Sequence, residues 1–126
     1  MSVVALVLAA GQGSRLDADV PKAFVRVGEQ SLLERSAAAL ARAKDVDAVL
    51  AVLPPGSDEA AAALRAGWTG PARLLDPVPG GQTRQESVML GLAAARLQSP
   101  GLAWVLVHDA ARAFVRPSDA ELCAGR

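Results

Sequence analysis

Cysteine is nearly missing from this 126-residue sequence, where Cys123 is the only one. No internal disulfide can form, which fits a reducing compartment. Aromatic residues are almost as scarce, at 3% with no tyrosine. The core must therefore be built from Ala, Val and Leu, small side chains that suit helices packed closely on a sheet. Neither sign of charge is in excess, with 13 basic and 13 acidic residues. That balance argues against a broad nucleic-acid or membrane surface. Long apolar runs are lacking too. The run at the N-terminus has no basic segment ahead of it and breaks off at Gly11, unlike a secretory signal. No later stretch is long enough to cross a bilayer, so the expected location is the cytoplasm.

Two familiar nucleotide motifs are also absent. No Gly-Lys-Ser/Thr triplet occurs, which excludes a P-loop. The dinucleotide fingerprint would need a third glycine where Leu16 stands, and a carboxylate after the second strand. That strand ends Val52-Leu53-Pro54-Pro55, so a nicotinamide or flavin dehydrogenase is disfavoured.

What is present is one domain's worth of chain, 52% hydrophobic and 21% charged, able to bury a core. It is organised around Val3–Leu16. Val3, Val4, Leu6, Val7 and Leu8 form a continuous apolar run, the pattern of a strand buried on both faces of a parallel sheet. Ala9, Ala10, Gly11 and Gly13 follow, a backbone with almost no side chains that another group can approach closely. Arg15 comes next, and Lys22 after Pro21. Small residues, bare amides and two cations at a strand end suggest a phosphate cradle. Taken alone, the Gly-x-Gly is equally consistent with a plain turn.

Further on, Phe24, Val25 and Val27 either add a short edge or pack the loop down. Ser31-Leu-Leu-Glu34 is a capping box that predicts a helix from about Leu32 to Lys44, its sheet-facing stripe being Leu33, Ala37, Leu40 and Ala41. Ala48–Leu53 reads as the second strand, and Ser57 as the cap of a short helix ending at Gly67. Arg73–Leu75 is a third strand, followed by a proline–glycine passage, Pro77–Gly81. Thr83-Arg-Gln-Glu86 is a second capping box, opening a helix to about Leu97, with Val88, Leu92 and Ala95 inward. Ala103–Val107 is the fourth strand, and Pro117 starts one more helix. Alternating strands and helices give an α/β fold, Rossmann-like and doubly wound on a mainly parallel sheet. Residues 1–126 are expected to be the N-terminal, nucleotide-binding part of a single domain that is incomplete at its C-terminus.

Ligands of such sheets bind beyond the carboxyl ends of the strands. Three passages sit there: Ala9–Lys22, Gly80–Ser87 and His108–Arg112. The first offers amides and cations for polyphosphate. The second places Gly80 and Gly81 ahead of a helix N-terminus, with Arg84 and Ser87 in its first turns. The third puts Asp109 where it could hold a divalent cation against phosphate oxygens. Each has a plain structural alternative: Asp109 as a turn cap, Arg84 as a solvated helix residue, and His108, the preferred reading, as a hydrogen-bonding loop residue. The combination at one sheet edge carries more weight than any single motif.

Leu8-Ala-Ala-Gly-Gln-Gly-Ser-Arg-Leu16 with Pro21-Lys22 resembles the signature of sugar-phosphate nucleotidyltransferases. Gly80-Gly-Gln-Thr-Arg-Gln-Glu-Ser-Val88 and Val107-His-Asp-Ala-Ala-Arg112 narrow the likeness to the 2-C-methyl-D-erythritol 4-phosphate cytidylyltransferase family, with ribitol-phosphate cytidylyltransferases as near relatives. The resemblance implies the nucleotidyltransferase fold and transfer of CMP from CTP to the sugar-alcohol phosphate, with release of pyrophosphate, in non-mevalonate isoprenoid biosynthesis. It implies that Ala9, Ala10, Gly11 and Gly13 wrap the triphosphate, with Arg15 and Lys22 as catalytic cations. Gly81, Ser87 and Ala110 would bind the nucleotide, with Arg84 supporting its loop, and Asp109 would bind Mg²⁺. Arg112 would brace its loop or approach phosphate. It also implies a homodimer at full length, with no nucleic-acid or membrane partner. Two departures stand out: Ala113 replaces a common proline, and these 126 residues are expected to lack the family's second half, with its dimer arm and most of the acceptor site. A non-catalytic nucleotide-binding module and a purely structural domain remain as rivals from other classes.

Overall fold

A computed structural model of the chain describes residues 2–9 and 26–110. Along them run β1 (Ser2–Leu8), β2 (Arg26–Val27), β3 (Gln30–Ser31), α1 (Leu32–Ala41) and β4 (Ala48–Leu53). They are followed by α2 (Asp58–Ala66), β5 (Arg73–Leu74), β6 (Val78–Pro79), α3 (Arg84–Gln98) and β7 (Leu102–Asp109). Among the described residues every pairing in the main sheet is parallel. β1 lies between β4 and β7, and β5 and β6 both pair with the far side of β4.

The apolar run of β1 requires this central place. Val4, Ala5, Leu6 and Val7 are wholly buried, and alternate residues serve opposite faces. Ala5 and Val7 cluster with Leu33, Ala37 and Leu40 of α1 and Leu64 of α2. Val4, Leu6 and Leu8 cluster with Ala95, against which Val88 and Leu92 of α3 also pack. Helices thus cover both faces, the doubly wound arrangement that the alternation of elements predicts. Gly91 lets α3 lie close. A Cβ there would stand 2.9 Å from Val52 Cγ2 and 3.1 Å from Leu6 Cδ1.

Several local expectations are corrected. α1 begins as expected: Ser31 Oγ accepts the Glu34 amide at 3.1 Å, and Glu34 Oε1 accepts the Ser31 amide at 3.1 Å. It ends at Ala41 rather than near Lys44. The tail tightens, with the Ala43 amide donating to Leu40 O at 3.1 Å and the Val46 amide to Ala43 O at 3.2 Å. Those bonds bury Ala43 and Val46 and turn the chain into β4. Ser57 stands at the N-cap of α2 but does not cap it. Its hydroxyl donates instead to Pro54 O at 2.6 Å, closing the preceding turn.

The third strand is interrupted, not ended, at Leu75. Pairing resumes at β6, where Val52 faces Val78 and Leu53 faces Pro79. A proline is tolerated there because this is the sheet edge. β7 runs two residues past the expected Val107, because His108 and Asp109 keep pairing with Val7 and Leu8. Val27 does join a short edge, the antiparallel pair β2–β3. Phe24, Val25, Pro117 and Cys123 lie outside the described residues. Trp68 packs against the α1–α2 side of the core, its indole Nε1–H donating to Ala72 O at 2.9 Å. No helix among the described residues is long and apolar enough to cross a membrane.

Candidate functional site

The chain leaves β1 toward β4 on one side and returns to β7 on the other, so β1 and β7 flank a topological switch point. Crevices at the carboxyl ends of such strands are where open α/β sheets bind ligands. Here Leu8 of β1 is level with Asp109 of β7. The Ala110 amide donates to Leu8 O, and the Ala9 amide to Val52 O, both at 2.8 Å. The backbone of Ala9 and Ala110 is thereby fixed at the mouth of the sheet.

The loop before α3 reaches the same edge, its start pinned by the Gly80 amide donating to Leu53 O at 2.8 Å. Thr83 caps α3, its Oγ1 accepting the Glu86 amide at 3.1 Å, but the expected capping box is only half formed, since the Glu86 carboxylate meets Thr83 Oγ1 at 3.5 Å. Ser87 in the first turn is wholly buried, and its Oγ accepts the Gly81 amide at 3.1 Å. Gly81 must be glycine here, since a Cβ would come 2.5 Å from Glu86 Cβ. Gly81 and Ser87 therefore form one unit, a loop amide locked to a buried hydroxyl.

Arg84, the first residue of α3, reaches across to β7. Its Nε donates to Asp109 Oδ1 at 3.3 Å, with the side chains 50% and 26% exposed. At such exposure the pair adds little to stability, at most about 1 kcal/mol. What it does is tie the loop before α3 to the end of β7. Among the described residues no group of three or more His, Cys, Asp or Glu side chains could hold a metal ion. A single half-buried carboxylate nevertheless fits a hard cation that takes most of its ligands from phosphate and water, as Mg²⁺ does.

The structure thus brings Ala9, Gly81, Arg84, Ser87, Asp109 and Ala110 to one edge of the sheet. Ala10, Gly11, Gly13, Arg15, Lys22 and Arg112 lie outside the described residues. His108 belongs to the strand, level with Val7, rather than to a loop. One positioning residue was missed by the sequence reading. Ser36, wholly buried in α1, donates from Oγ to Ala110 O at 3.2 Å, tying the helix to the site. A hydroxyl amid the apolar stripe of Leu33, Ala37 and Leu40 was the available signal.

Comparison with known proteins agrees with this architecture. The model of the family described as 2-C-methyl-D-erythritol 4-phosphate cytidylyltransferase matches residues 3–125. A curated protein of that name from Saccharopolyspora erythraea is 46% identical over 122 residues, covering 94% of this chain and 51% of the relative. The solved 4-diphosphocytidyl-2C-methyl-D-erythritol synthase from Anaerococcus prevotii superposes with a TM-score of 0.73 at 25% identity, covering 93% of this chain and 47% of that one. A second solved synthase of the same name gives a TM-score of 0.69 at 31% identity, over 93% and 50% of the two chains. The chain spans about half the length of the relatives it matches. With the family model matched almost end to end, this chain belongs to the 2-C-methyl-D-erythritol 4-phosphate cytidylyltransferase family.

Proposed function

We propose that this chain carries the CTP and metal half-site of an enzyme that transfers CMP from CTP to 2-C-methyl-D-erythritol 4-phosphate. The observation that supports this most is the meeting of Asp109, Ala110 and the Gly81–Ser87 unit at the switch point beside β1. An oxygen of the acceptor phosphate attacks the α-phosphorus of CTP in line. The bond from that phosphorus to the bridging oxygen of the β-phosphate breaks, and pyrophosphate leaves with its electron pair. A phosphate oxygen is already ionised, so no general base is needed, and His108 has no part in the step.

The protein's work is placement and charge. Ala9, Ala10, Gly11 and Gly13 line the triphosphate, with Arg15 and Lys22 as the cations beside it. Gly81 and Ser87 help hold the cytosine, the buried Ser87 by locking the Gly81 amide, Ala110 adds to the nucleotide site, and Asp109 holds Mg²⁺. When bound, the ion supplies positive charge to the phosphate oxygens. The same reading expects a cytoplasmic homodimer working on small molecules, without nucleic acid or membrane.

Two measurements test it. Asp109→Asn keeps size and hydrogen bonding but removes charge. CTP affinity in the presence of Mg²⁺, measured by isothermal titration, is expected to fall tenfold or more, about 1.4 kcal/mol. Equal affinity with and without Mg²⁺ in both proteins would remove Asp109 from the site. The second compares nucleotides. The loop locked by Ser87 is expected to hold a pyrimidine, so CTP should raise the melting temperature more than ATP or GTP. Equal protection by all three would mean that only phosphate is read.

A further inference from the structure

We propose that Arg84 is a positioning residue that holds Asp109 and competes with a free divalent cation for it, so that the cation enters with the triphosphate rather than before it. This rests on the functional reading above, in which Asp109 receives the metal.

Arg84 is badly placed for its own helix. It is the first residue of α3, where the aligned peptide dipoles carry partial positive charge and a cation is unfavourable. Its location is therefore not explained by helix stability. The contact it makes does offer an explanation: Nε meets Asp109 Oδ1 at 3.3 Å, across 25 residues of sequence. Asp109 is held by its strand pairing with Leu8, and Arg84 by a helix start fixed through Thr83. The two charges are thus built to face one another from separate rigid elements.

The consequence is electrostatic. A divalent ion arriving alone at Asp109 meets a carboxylate whose charge is already matched, with a guanidinium close by. Repulsion between that guanidinium and the ion lowers the ion's affinity. An ion arriving with a triphosphate meets no such penalty, because the phosphate charges exceed that of Arg84. The pair would thereby favour the metal–nucleotide complex over bare metal.

Mn²⁺ can serve as the probe, with free ion measured by electron paramagnetic resonance in the absence of nucleotide. Arg84→Met keeps the length of the chain but removes the charge. It is expected to raise Mn²⁺ affinity by about fivefold or more, whereas Arg84→Lys, which keeps the charge, should stay near the wild type. Asp109→Asn added to Arg84→Met should erase the gain. With CTP present, the Arg84→Met gain should largely vanish.

An Arg84→Met protein that binds Mn²⁺ no better than wild type would overturn the proposal, as would a gain that survives Asp109→Asn. An equal gain with CTP bound would overturn the ordering. The single Asp109→Asn variant separates the two levels. If it leaves binding of the Mn²⁺–CTP complex intact, the functional reading fails; if it weakens that binding while Arg84→Met gains nothing, only the role of Arg84 fails.

Discussion

Gly91→Val is expected to destabilise the protein by about 3 kcal/mol, the upper end of ordinary overpacking costs. The first added carbon would already stand 2.9 Å from Val52 Cγ2 and 3.1 Å from Leu6 Cδ1. Neither neighbour yields easily. Val52 is β-branched and stiff at χ1, and both residues are wholly buried in the sheet. Gly91→Ala should cost less, about 1 kcal/mol, because a helix interior favours Ala over Gly by about that amount and offsets part of the clash. Valine adds two more carbons with nowhere to go. Urea unfolding measures both variants. Combining Gly91→Val with Leu6→Ala opens space at the contact, so the double mutant should lose less than the sum of the single losses. Strict additivity, or a Gly91→Val protein as stable as wild type, would show that α3 does not rest on β1 and β4 as described.

Lys22→Ala is expected to lower kcat roughly a hundredfold or more, about 2.7 kcal/mol, while the KM for CTP moves much less. Lys22 lies outside the described residues. In the proposed reaction charge gathers around the α-phosphorus during attack. A cation aimed there contributes chiefly in the transition state, and such contributions appear in kcat rather than in ground-state affinity. The assay belongs in a protein of the relatives' full length that carries this sequence. A raised KM with kcat intact would make Lys22 a ground-state binding cation only.

Much of the fold was legible because β1 advertises its surroundings. An unbroken run from Val3 to Leu8 has few solutions other than a strand covered on both sides. Ser31 with Glu34, and Thr83 ahead of α3, marked helix starts through local hydrogen bonds that need no tertiary knowledge. What was not legible depended on partners far away in sequence. Val78 and Pro79 form a strand only because Val52 and Leu53 present a ladder to them. Ser57 looked like a cap, but its hydroxyl found the Pro54 carbonyl instead. At the site, glycines and charged residues pointed to the sheet edge, whereas the buried bond from Ser36 to Ala110 O could not be read from spacing. Nor could the pairing of Arg84 with Asp109, which α3 and β7 bring together from opposite ends of a crossover.

The two tryptophans set how this protein can be watched in solution. With no tyrosine, ultraviolet emission comes from Trp68 and Trp104 alone. Trp68 is hydrogen-bonded to Ala72 O and packed on the core, so its emission should shift when the core opens. Trp104 is 48% exposed and already sees water in the folded state. It also lies five residues before Asp109 on β7, about 16 Å along the strand. Intrinsic fluorescence should therefore follow unfolding faithfully through Trp68, yet respond weakly to a nucleotide arriving at the strand ends. Binding at this site is better followed by heat or by a spectroscopic metal than by the protein's own light.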